Sequence, residues 1–107
     1  MDNISEKYIL IDVFHGDFEH EIATPMIFDT IENARAAMRK SLICGAMGEF
    51  EDDDSVFRDY IRYEDYDWEP DANDAWFKNC NGRSDWVIYS IAELVKHTEK
   101  IRKSEAS

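Results

Sequence analysis

The sequence predicts an α+β fold: a small antiparallel sheet of about four strands with helices on one face. Three observations predict it. The run KYILIDVF at 7–14 is nearly all apolar and rich in branched side chains, as strands are. Ile31, Ala34, Met38 and Leu42 recur at helical spacing, and Leu94, Val95 and Ile101 form a thinner apolar edge of the same kind. Asn81-Gly82, the strongest short hairpin signal, stands between two further apolar runs. The expected order is strand–strand–helix–insert–strand–strand–helix, in one domain spanning 1–107.

Each element has its own local reason. Lys7 to Phe14 reads as a strand buried on both faces. His15-Gly16-Asp17 supplies a turn. Phe18 to Phe28 begins with alternation, Phe18, His20 and Ile22 on one side and Glu19, Glu21 and Ala23 on the other, so a strand with one wet face is expected. Pro25 has no N–H to give a ladder, which places this strand at an edge or a bulge. Asp29 is expected to cap the first helix, with Glu32 three residues on, and Gly45 to end it. Within 49–74, Val56, Phe57, Tyr60 and Ile61 are spaced for one face of a short helix from Asp54 to Tyr63, although the same residues also read as strand pieces. Pro70 and the clustered Asp and Asn of 66–73 indicate a loop. Ala75 to Asn79 and Asp85 to Ile91 form the arms of the hairpin, and the second arm, apolar on both sides, is expected to be central in the sheet. Ser90 with Glu93 makes a capping box for the last helix. Lys96, Lys100, Arg102 and Lys103 gather at its C-terminal half, where the helix dipole favours cations.

Charge is the most informative property of the chain. The segment 49–74 holds 12 carboxylates against two bases, Arg58 and Arg62, a net of −10 out of −12 for the whole chain. Concentrating like charge costs stability through self-repulsion and requires a reason. The same charge opposes direct binding to nucleic acid and to an anionic membrane surface. The chain contains no run of 18 apolar residues, so no membrane span is expected. The opening MDNISEKY has no signal-peptide core, and a cytoplasmic protein is expected. Cys44 and Cys80 stand singly, without a CxxC arrangement, and read as reduced thiols.

Rings are interleaved with the carboxylates. Eight of the 14 aromatic residues lie between positions 50 and 77. Tyr60 with Val56, and Trp76 with Phe77, are the expected core members. Tyr63, Tyr66 and Trp68 alternate with Asp65, Asp67 and Glu69. Aromatic side chains anchor interfaces while surrounding charge steers the partner. The expected docking set is therefore Asp52, Asp53, Asp54, Tyr63, Asp65, Tyr66, Asp67, Trp68 and Glu69. A solvated, solubilising loop is the plain alternative for the same charge run.

Other chemistry has less support. Asp65, Asp67, Glu69 and Asp71 alternate like the start of a calcium loop, but Pro70 takes the glycine position and Trp76 the place of the bidentate Glu. His15, Asp17, Glu19, His20 and Glu21 cluster at the first turn, yet a zinc site wants more converging imidazoles than this turn offers. There is no nucleophile elbow, no glycine-rich phosphate loop and no HExxH, so no catalytic residue, metal or cofactor is expected.

Two segments, FDTIENARAAM at 28–38 and NGRSDWVIYSI at 81–91, resemble stretches of small proteins from Firmicutes and their phages. In size, charge and aromatic content the chain is similar to acidic phage inhibitors of the anti-CRISPR type. That resemblance implies a non-enzymatic inhibitor whose acidic face imitates nucleic acid and occupies a basic, nucleic-acid-binding surface of a partner effector. An immunity or antitoxin protein neutralising a basic nuclease is the second expectation. A small metal-binding protein or enzyme using the His15–Glu21 turn is the third.

Overall fold

The computed structural model describes residues 6–16 and 20–106, with backbone alone for the last two. Asp17, Phe18 and Glu19, assigned above to the first turn and second strand, lie outside the described residues. The chain forms β1 (Tyr8–Gly16), β2 (His20–Ile22), β3 (Met26–Phe28), α1 (Ile31–Met47), α2 (Asp54–Tyr60), β4 (Asp65–Asp67), β5 (Asp74–Asn79), β6 (Gly82–Ser90) and α3 (Ile91–Ala106). All strand pairings are antiparallel, in the order β2-β1-β6-β5-β4, with β3 also on β1. The α+β class holds, with six strands among the described residues where about four were expected.

The extra strands have simple causes. β2 and β3 share one edge of β1, pairing with Val13–His15 and Tyr8–Leu10 respectively. Pro25 lies in the break between them, so the expected edge strand is interrupted there. β4 arises inside the acidic segment, where a loop was expected, because Asp65–Asp67 can complete the free edge of β5. β6 lies between β1 and β5, as its two apolar faces anticipated.

One face of the sheet is covered. Leu10 and Ile88 are cross-strand partners, as are Ala75 and Trp86, and all four are buried with Phe77 beneath α1. From α1 come Ala34, Met38, Leu42 and Ile43. The helix is capped by Thr30, whose Oγ1 accepts the Asn33 N–H at 3.1 Å. Asp29, the expected cap, instead accepts a hydrogen bond from Lys7 Nζ. Gly45 does not end the helix; it runs on to Met47, and Gly48 at φ 82° closes it in the left-handed region.

The acidic segment is part of this core rather than an appendage to it. Phe57 of α2 and Ile61, which caps its C-terminus, are fully buried, and Trp68 after β4 is 3% exposed. The rings of Tyr66 and Trp68 meet Phe57 edge-on, with centroids 6.5 and 6.1 Å away. Tyr60 and Val56, the expected core pair of this helix, are exposed instead.

The other face is open. Reading across the strands, one row places Ile27, Ile9 and Tyr89 side by side. The next holds Ile11, Val87 and Asp74, and the next Ile22, Val13, Asp85, Trp76 and Asp67. β1 is therefore covered on one face only, against the expectation of burial on both. Trp76 lies here, half-buried, with the Arg83 guanidinium 4.5 Å over its ring, while Phe77 joins the core. α3 leaves the end of β6 with Ser90 Oγ accepting the Glu93 N–H, as the capping box anticipated. From Val95 to Ser104 every described side chain of α3 is exposed.

Candidate protein-docking edge

α2 begins where Asp53 caps it. Its carboxylate accepts the Ser55 N–H at 2.9 Å and the Ser55 hydroxyl at 2.7 Å. These hydrogen bonds favour the ionised form and hold the Asp53 carboxyl below the ordinary aspartate value. Asp53 thus has a structural task, and its neighbours have another. Asp54 pairs with Arg39 of α1 at 2.6 Å, and Asp52 lies 3.7 Å from the same guanidinium. Arg39 also faces the Phe50 ring, 5.6 Å from its centroid. The charge at 52–54 is therefore partly spent within the molecule, fastening α2 to α1.

At the other end of α2, about 10 Å away along the helix, the chain turns into β4. Tyr63 stands there, 86% exposed, with Tyr60 59% exposed one turn before it. Alternation along β4 then separates the side chains. Asp65 and Asp67 point to the open face, as partners of Lys78 and Trp76. Tyr66 points to the covered face, half-buried against the core. β4 is the outermost strand, so its far edge carries backbone groups unpaired within the sheet. Glu69 follows in the loop and is held 3.3 Å from Arg58, whose guanidinium sits 5.0 Å over the Trp68 ring.

The structure divides the expected docking set. Tyr63, Asp65 and Asp67 are brought together at the β4 edge. Asp52, Asp53 and Asp54 lie at the far end of α2. Trp68 is a core residue, and Tyr66 presents only part of its ring; neither can act as a free anchor. Tyr60, expected in the core, and Glu64 are exposed near Tyr63. The missed signal was an ambiguity of period: Val56/Tyr60 and Phe57/Ile61 are both (i, i+4) pairs, and nothing local decides which faces inward. Among the 12 carboxylates of 49–74, Asp52, Asp54, Asp59 and Glu69 form ion pairs with described residues, and Asp53 caps α2.

Elsewhere, His15 and His20 face each other across the β1–β2 hairpin with their Nδ1 atoms 3.1 Å apart. No group of three or more His, Cys, Asp or Glu side chains able to hold a metal converges among the described residues. Asp12 on β1 is half-buried under α1. Its Oδ2 accepts from Ser41 Oγ at 3.3 Å, and Ser41 Oγ accepts from Trp86 Nε1 at 2.9 Å. Burial pushes the Asp12 carboxyl up, against the opposing pull of the Ser41 and Trp86 hydrogen bonds. Cys44 and Cys80 are free thiols. Among the described residues no helix is long and apolar enough to cross a membrane.

Fold and site together define a small α+β protein with a ring-bearing, acidic strand edge. Compared with known proteins, the chain matches no family model, no curated protein and no solved structure.

Proposed function

We propose that the protein works by stoichiometric binding: its acidic α2–β4 edge blocks a basic, nucleic-acid-binding surface on a partner protein. The observation that carries the reading is local. Tyr63, an exposed ring with the Arg62 guanidinium 4.8 Å from its centroid, lies two residues before the outermost strand of the sheet, which carries Asp65 and Asp67. An exposed tyrosine supplies contact area with little rotamer entropy to lose, and the carboxylates around it attract and orient Lys- and Arg-rich surfaces. The strand edge adds unpaired backbone groups that fix register once a partner is in place. A dense negative field of this kind competes with phosphate for the same cationic channel. An anti-defence inhibitor of the anti-CRISPR type is the concrete version. An immunity protein against a basic nuclease uses the same physics with a different target.

The test is capture of partners from cells at low salt, with elution by rising salt. Association is expected to slow steeply between about 50 and 500 mM salt. A variant carrying Tyr63→Ala, Asp65→Lys and Asp67→Lys is expected to weaken capture at least about tenfold, since truncating an anchor and reversing its rim each cost over ~1 kcal/mol. Capture indifferent both to salt and to these substitutions would end the proposal.

A further inference from the structure

The open sheet face and α3 are complementary, and within one chain the contact of α3 with the sheet is chiefly to β6, the strand it directly follows. The face presents an apolar floor of Ile9, Ile11, Val13, Val87, Tyr89 and Trp76. Arg83 is engaged by Asp85, at 2.9 Å, and by the Trp76 ring. Asp67 and Asp74, at the β4–β5 side of that floor, form no ion pair among the described residues. α3 carries the converse pattern. Ile91, Leu94, Val95 and Thr98 fall on one stripe at i, i+3, i+4, i+7 spacing, Ile101 lies at its edge, Arg102 enters it in the last turns, and Lys96 and Lys103 run along one side. Val95 and Ile101 are exposed, and Lys96, Lys100, Arg102 and Lys103 form no ion pair among the described residues.

A 16-residue helix exposed from its second turn onward is marginal by itself, and an amphipathic stripe stabilises it only when something covers the stripe. The molecule is correspondingly extended: its radius of gyration is 16.0 Å, against about 13 Å for a compact chain of this length.

We infer that the occupant of the open face is α3 of a second copy of this chain, exchanged reciprocally about a two-fold axis. Each copy then lays its apolar stripe on the other's floor, with Lys96 and Lys103 toward Asp67 and Asp74. The arrangement is closed and self-complementary, so it stops at two. A helix about 24 Å long and about 10 Å wide, used twice, removes on the order of 1,000 Å² from water, the lower bound of a specific interface. This inference shares Asp67 with the docking edge proposed above, but it needs no partner protein, and purified protein alone tests it.

Sedimentation velocity between about 1 and 200 µM brackets the affinity expected of so small an interface. The expected result is a concentration-dependent species of twice the 12.6 kDa chain mass. Val95→Asp with Ile101→Asp, at positions already exposed, is expected to leave the circular dichroism intact and raise the dimer Kd at least about tenfold. Lys96→Glu with Lys103→Glu in one variant, and Asp67→Lys with Asp74→Lys in another, are each expected to weaken self-association to a similar degree. Mixed one to one, those two are expected to regain it, because both reciprocal contacts then pair opposite charges. A chain that stays monomeric at 200 µM (about the top of the range), a dimer indifferent to the α3 substitutions, or folded charge variants that fail to pair when mixed would each overturn the inference.

Discussion

At residue scale, Asp12 is the clearest case of a side chain whose environment works against its charge. Its carboxyl is raised by burial, so the folded state holds the proton more tightly than the unfolded chain. Its stabilising contribution is full below the ordinary value of 3.8 and is lost as pH rises through the higher folded value. Asp12→Asn keeps an oxygen that can accept from Ser41 and removes the charge. It is expected to raise the denaturation midpoint at pH 7, with the advantage vanishing at acid pH; urea titrations across pH would show this. Phe57 and Tyr63 make a second contrast. Phe57→Ala empties a fully buried site and is expected to cost about 3–5 kcal/mol. Tyr63→Ala removes a ring already in water and is expected to stay within about 0.5 kcal/mol of the parent. If Tyr63→Ala cost as much as Phe57→Ala, its ring would belong to the core and not to a docking edge.

At element scale, the β5–β6 hairpin shows how a correct signal can be misplaced by one residue. The Asn81-Gly82 pair does mark the turn, but Asn79 pairs with Gly82, so the loop is Cys80-Asn81 and Gly82 opens β6. Gly82 has φ 147°, and a Cβ there would overlap the His15 carbonyl oxygen on the paired strand. Gly82→Ala is expected to destabilise the protein by about 1–3 kcal/mol, measured by thermal or urea unfolding. The cap of α2 is a further element-level contribution. With the Asp53 carboxyl held low, its stabilisation is present above the ordinary aspartate value and lost as pH falls through the folded one. Asp53→Ala is expected to lower stability at pH 7 and to converge with the parent in acid. The helices, the hairpin and the C-terminal capping box were legible because each rests on contacts within a few residues. β4 was not, since three residues with two aspartates become a strand only by completing the edge of β5, a partner that lies beyond the next loop.

At the scale of the whole molecule, the charge and the rings of 49–74 serve two ends. Phe57, Ile61 and Trp68 close the core beneath the sheet, and Arg39 and Arg58 pair with Asp52, Asp54 and Glu69. Of the remaining carboxylates, Glu64, Asp65 and Asp67 lie at the β4 edge, Glu49, Glu51 and Asp53 lie between α1 and α2, and Asp71 and Asp74 lie before and at the start of β5. By itself, the amino-acid order determined the α+β class, the central place of β6, the exposed edge at Pro25 and the concentration of negative charge, because composition, period and capping are local properties. Only the tertiary structure decided which of two equivalent (i, i+4) pairs in α2 faces inward, that Trp68 is core while Tyr63 is not, and that one sheet face is left open. Those outcomes depend on which surfaces meet across the chain, and burial is awarded by the fit of distant elements, to which no local pattern has access.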